Sequence, residues 1–141
     1  MANAIANQPE QVGRVYRLLL IAFALQIAGR LVDLRWHATH EEFEGGIEQL
    51  QAHWLIWFAT LLVIAAAVVG LRVSPTPSHR QGYALTLIAN LAYVAVAVVH
   101  FFQHLNHLEV DWTHVLLVLT NVLGLVGIIW LVAIRARTRT T

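Results

Sequence analysis

Four stretches of about 20 residues, each dominated by Leu, Val, Ile and Ala, constrain this chain more than any other feature. A helix closes its own backbone hydrogen bonds, and about 20 apolar residues in helical form cross the hydrocarbon core of a bilayer. The stretches cover residues 15–36, 53–71, 83–102 and 114–134. The second and fourth are almost free of charge, whereas the first carries Gln26, Arg30 and Asp33. Composition agrees: 58% of the 141 residues are hydrophobic and 12% charged, against about 25% charged in soluble domains. That balance excludes a disordered chain, a nucleic-acid binder and an ordinary cytosolic enzyme. The expected fold is all-α: an integral membrane four-helix bundle forming a single domain over 1–141, with helices at about 15–40, 50–72, 82–106 and 112–135. No small-residue cleavage site follows the first apolar run, so it reads as a retained helix and not a signal peptide.

The connections and charges suggest an orientation. Gly45 and Gly46 separate the first two spans, Ser74-Pro75-Thr76-Pro77-Ser78 breaks the chain between the second and third, and a polar turn over 106–112 precedes the fourth. Asp111 there is suited to an N-cap. Arg14, Arg17, Arg72, Arg80, Arg135, Arg137 and Arg139 fall on one side of the spans. Asp33, Glu41, Glu42, Glu44, Glu48, Glu109 and Asp111 fall on or toward the other. By the positive-inside rule both termini and the Pro-rich loop are cytoplasmic, and both hairpin tips are extracytoplasmic. Trp36, Trp54, Trp57 and Trp112 would mark the outer boundary and Tyr16, Tyr83 and Trp130 the inner one.

The residues that could carry chemistry are few in kind. There is no cysteine, which excludes disulfides, thiolate metal sites and a cysteine nucleophile, and the one methionine is Met1. There is no lysine. Eight histidines in so apolar a chain are the anomaly. Seven of them, His37, His40, His53, His100, His104, His107 and His114, fall at the outer end of a span, and His79 falls in the inner loop. All four helices would therefore bring imidazole to one level.

Helical phase groups them. Gln26, Arg30, Asp33, His37, His40, Glu41 and Glu44 share a stripe if the first helix continues that far. His100, His104 and His107 share a narrow stripe that Tyr93 extends inward. His53 and His114 would sit in the first turn of their helices, with Asn121 seven residues below His114. A single interfacial histidine usually snorkels or hydrogen-bonds, and Asn90, Asn121 and Tyr93 suit interhelical hydrogen bonds. Three imidazoles on one stripe are harder to satisfy without a shared partner. Neutral imidazole ligates Zn, Fe and Cu alike, and a four-helix bundle can build such a site from inward-facing side chains. The expected ligands are His37, His40, His100, His104 and His107 first, then His53, His114, Glu41 and Glu44, enough donors for one or two ions. Asp33, four residues before His37, would orient that ring, or would pair with Arg30. Arg30 and Tyr93 complete the outer shell. Ala65, Ala66, Ala67, Gly70, Gly124 and Gly127 permit close helix approach.

The spacings His37-x2-His40 and His100-x3-His104-x2-His107 are loosely similar to the histidine clusters of membrane di-metal enzymes of the fatty acid desaturase and hydroxylase group. The paired-histidine box of that group is absent here, and its site lies on the cytoplasmic side. The sequence thus predicts a membrane metalloprotein with a His/carboxylate mono- or dinuclear transition-metal site at the extracytoplasmic end, a metal-dependent oxidoreductase or hydrolase for a lipid-like substrate if it is an enzyme. Two alternatives stay open at this level: a b-type haem electron carrier, for example with His53 and His100 or His114 on the iron, and a non-catalytic accessory subunit or pH sensor. Expected partners are membrane lipid, a metal ion and either a second copy or a larger membrane complex, with no nucleic acid. The expected location is a bacterial inner membrane, with the site facing outward.

Overall fold

The computed structural model describes residues 8–39, 46–106, 108 and 111–137. Among these, four helices follow one another: α1 (Gln8–Thr39), α2 (Gly46–Val73), α3 (Pro77–Leu105) and α4 (Asp111–Arg137). The fold is all-α, and each helix is long and apolar enough to cross a membrane.

The helices outrun the apolar stretches because hydropathy marks the part that a bilayer could cover, while polar turns extend the helix on either side. α1 begins at Gln8. Pro9 there tolerates the first turn, where its missing N–H has no intrahelical role, and Glu10 accepts from Arg14 one turn on. α2 begins at Gly46, so His53 lies about two turns inside it and not in its first turn. His79 is likewise in a helix and not a loop. Pro77 opens α3, and the Thr76 hydroxyl just before it acts as the N-cap, accepting the His79 backbone N–H at 3.3 Å while lying 2.7 Å from His79 Nδ1. α3 closes with the Leu108 N–H donating to the Gln103 carbonyl at 2.9 Å.

Helices adjacent in sequence pack side by side: α1 on α2, α2 on α3, α3 on α4. The backbones of α1 and α4 scarcely approach each other. Glycines set the tight crossings. A Cβ on Gly29 of α1 would lie 2.9 Å from the backbone nitrogen of Ile56 on α2, and one on Gly127 of α4 would lie 2.9 Å from that of Thr86 on α3. Only hydrogen fits at those points, so the backbones meet closely there.

The outer surface of the bundle is apolar, and its interior mixes an apolar core with a layer of buried polar side chains, unlike a soluble protein. Leu18, Leu31, Leu61, Ile88, Val118 and Ile129 are all exposed, whereas Gln26, Thr60, Thr86 and Asn90 are buried. Gln26 donates through Nε2 to Thr60 Oγ1 at 2.8 Å and to Asn90 Oδ1 at 3.0 Å, tying α1, α2 and α3 at one level. Toward the arginine-rich end a dry core of Leu19, Ala22, Val63, Ala67, Tyr83, Ile128 and Leu131 fills the centre. Toward the other end the packing opens into a cavity.

Candidate metal centre

The cavity has a volume of about 460 Å³ and draws its walls from all four helices. Arg30, Asp33, Leu34 and His37 line it from α1; His53 and Trp57 from α2; Tyr93, Ala97, His100 and Phe101 from α3; and His114, Leu117, Val118 and Asn121 from α4. The pattern follows from helical spacing. Asp33 and His37 are four apart on α1, His53 and Trp57 four apart on α2, Tyr93, Ala97 and His100 span two turns of α3, and His114 and Asn121 are seven apart on α4.

On the α1–α2 wall three donors converge. Asp33 Oδ1 lies 2.9 Å from His53 Nε2 and 3.6 Å from His37 Nε2. One donor atom from each of the three residues falls within 4.8 Å of the other two. Donors about 2.0–2.2 Å from a tetrahedral ion stand roughly 3.3–3.5 Å apart, so the two measured separations bracket the spacing an ion would impose. The two rings meet edge to face with centroids 5.7 Å apart, and all three side chains are partly buried. Asp33 Oδ1 itself is inaccessible to solvent, and the polar groups beside it are the two imidazoles. A buried carboxylate oxygen needs a positive partner, which either an imidazolium or a metal ion between the donors supplies. The Gly29–Ile56 contact lies one turn below and holds Asp33 against His53.

The α3–α4 wall carries a second imidazole pair. His100 and His114 meet edge to face, with centroids 4.5 Å apart. His100 Nδ1 is 3.1 Å from the hydroxyl of the buried Thr113, which donates to Gln103 Oε1 at 3.0 Å. Thr113 thereby helps fix the plane of the His100 ring through Nδ1.

Arg30 forms the floor. It donates to Asn121 Oδ1 across the α1–α4 gap, and its guanidinium carbon lies 4.5 Å from the Tyr93 ring centroid. The sequence offered Asp33 two roles, orienting His37 or pairing with Arg30. In the structure Asp33 is itself one of the three converging donors, and no Arg30–Asp33 ion pair forms among the described residues. Three residues apart on α1, the two side chains diverge: the carboxylate turns to α2 and the guanidinium to α4.

Of the expected ligands, His37, His53, His100 and His114 all face the cavity. His40, Glu41, Glu44 and His107 lie outside the described residues, and of His104 only the backbone on α3 is described. Trp57, Gln103 and Thr113 were not anticipated as parts of the site. Helical phase held the signal for two of them: Trp57 is one turn from His53, and Gln103 one turn from His100. Trp57 consequently forms part of the cavity wall and packs on Ile56, Tyr93 and Ala97, while Trp54 and Trp112 are exposed.

Fold and site together describe a bundle of four membrane-crossing-length helices with a His/Asp group that could hold a metal ion. No protein-family model, no curated protein and no solved structure matches this chain.

Proposed function

We propose that this chain is an integral membrane metalloprotein whose transition-metal ion is held by Asp33, His37 and His53 at the extracytoplasmic end of the bundle. The observation that carries the reading is the convergence of one carboxylate and two imidazoles, one of them from a second helix, around a buried carboxylate oxygen. Two imidazoles and a carboxylate are the donors of catalytic zinc sites and of non-haem iron sites alike. Three protein ligands leave a further coordination position, and here it would face a cavity of the size that holds small-molecule ligands. An ion there could activate water for hydrolysis or, if redox-active, oxygen for oxidation of a lipid-like substrate. His100 and His114 add a second imidazole pair on the opposite wall of the same cavity.

The arginine distribution supports the orientation, with Arg72, Arg80, Arg135 and Arg137 at the end opposite the cavity and therefore on the cytoplasmic side of a bacterial inner membrane. The reading is tested by elemental analysis and absorption spectroscopy of protein purified in detergent and washed free of loosely held metal. About one transition-metal ion per chain is expected, lost in His53→Ala and in Asp33→Ala and retained in His79→Ala. Metal-free protein, or metal content untouched by both cavity substitutions, would overturn it. A Soret band would assign the imidazoles to haem instead.

A further inference from the structure

We propose that the cavity binds a single-chain amphiphile with an anionic head, the head seated between Arg30 and the metal and the chain leaving through the gap between α1 and α4. The proposal rests on the metal reading above and adds the chemical class of the ligand.

The first argument is charge. Arg30 and Asp33 are the formally charged side chains on the cavity wall, and they cancel. A divalent ion held by Asp33 and two neutral imidazoles raises the local sum to +2, counting Arg30 as +1, Asp33 as −1 and the ion as +2. Such an excess inside a bundle of apolar helices is costly unless an anion joins it. Asp33 is spoken for by the histidines, and the partners the structure gives the guanidinium, Asn121 Oδ1 and the Tyr93 face, carry no formal charge. A guanidinium offers five N–H donors in a planar fork matched to a carboxylate or phosphate. Donating to Asn121 leaves donors for a ligand.

The second argument is access. Three of the four sides of the bundle are formed by helices packed closely side by side, whereas the backbones of α1 and α4 scarcely approach each other. Arg30–Asn121 spans that gap at the cavity floor, and Arg135 over Tyr16, 4.6 Å from its ring centroid, spans it near the other end. On that side the cavity wall includes Leu34 of α1 and Val118 of α4, which are also 67% and 60% exposed, so the way in from outside runs past them. Both belong to stretches that would lie within the bilayer. A ligand entering there meets apolar rims first and the cation last, the polarity order of an amphiphile lying among lipids. A wholly polar anion has no such route, and a neutral lipid leaves the charge unanswered.

The test uses the full chain in phosphatidylcholine nanodiscs, loaded with metal or stripped by chelator. Binding of radiolabelled dodecanoate is measured, with dodecyl phosphate, dodecanol and acetate as competitors. Saturable binding near one per chain is expected, displaced by dodecyl phosphate and by neither dodecanol nor acetate. The relative strength of the two anionic competitors separates carboxylate from phosphate. Arg30→Gln should weaken binding by at least about thirtyfold, the lower end for removing one partner of a desolvated charge pair, while keeping its metal. Should Arg30→Gln fail to fold, Val118→Trp narrows the mouth without touching a charge or a donor. It should abolish dodecanoate binding at full metal content. Undiminished binding in either variant, or equal competition by dodecanol, would overturn the proposal. The two readings fail separately. Wild-type protein without metal that still binds dodecanoate through Arg30 refutes the metal centre alone. Binding that needs the metal and ignores Arg30 refutes the anchor alone.

Discussion

Gly29→Ala is the substitution whose outcome the geometry dictates most closely. The added Cβ would lie 2.9 Å from both Ile56 N and Ile56 Cγ1 and 3.2 Å from Ile56 Cα. Ordinary contacts between carbon atoms fall at about 3.5–4.0 Å. The Ile56 side chain can rotate away, but its backbone cannot, so α1 and α2 must part by roughly 0.3–0.8 Å at this crossing to bring the Cβ to ordinary contact with Ile56 Cα. Overpacking of this kind costs about 1–3 kcal/mol. The crossing lies one turn below the donors, with Asp33 four residues along α1 and His53 three residues back along α2, so the parting is transmitted to their 2.9 Å approach. Metal–ligand bonds tolerate only about 0.2 Å. The variant should therefore lose metal affinity by more than about tenfold, the smallest effect usual for disturbing even the residues behind a ligand. Competition against a chromogenic chelator reads the affinity, and thermal unfolding in detergent reads the stability. Gly124→Ala is the matched control, because its Cβ would meet Asn90 Nδ2 at 3.4 Å and Ala89 Cβ at 3.7 Å, within ordinary contact. It should keep its metal and gain up to about 1 kcal/mol from helix propensity. Gly29→Ala protein with wild-type metal affinity would refute the claim that this crossing sets the site.

Gln26→Leu removes two interhelical hydrogen bonds and leaves Thr60 and Asn90 short of a partner. At roughly 0.6 kcal/mol per bond in a membrane, a loss of about 1–2 kcal/mol in unfolding free energy is expected, with metal content unchanged because this layer lies below the cavity. Thr113→Val frees the His100 ring from its hydroxyl partner, so protein that binds one ion at Asp33, His37 and His53 should retain it. A fall well below one ion per chain would show that the α3–α4 wall holds that same ion. The natural absence of cysteine makes topology directly measurable. An impermeant maleimide applied to intact cells should label Leu108→Cys, and should label Ser78→Cys only after permeabilisation; the reverse pattern would invert the orientation.

Several features were legible in the chain because they follow from local chemistry. Apolar run length determines that the helices can cross a bilayer, whatever they pack against. Spacing along a helix determines that Asp33 and His37 share a face, as do Tyr93, Ala97 and His100, since 3.6 residues per turn is a property of the backbone alone. The helix ends were less legible. Hydropathy falls where the lipid would stop, whereas α2 continues to Gly46 and α3 to Pro77 because polar residues form helical turns as readily outside the membrane. That difference moved His53 from a helix end to a helix interior.

Pairing between helices was decided only in three dimensions. Along α1, Asp33 is three residues from Arg30 and four from His37, both spacings that share a helix face, and periodicity cannot say which it will meet. The rotation of α1 against α2, set by the bare backbone of Gly29 on Ile56, turns the carboxylate to His53 and the guanidinium to Asn121. Which histidines gather on which wall, and that α1 and α4 approach each other less closely than the other neighbouring pairs, depends on side-chain volumes meeting across interfaces between residues far apart in the chain. Those volumes act at a distance that no window of sequence spans.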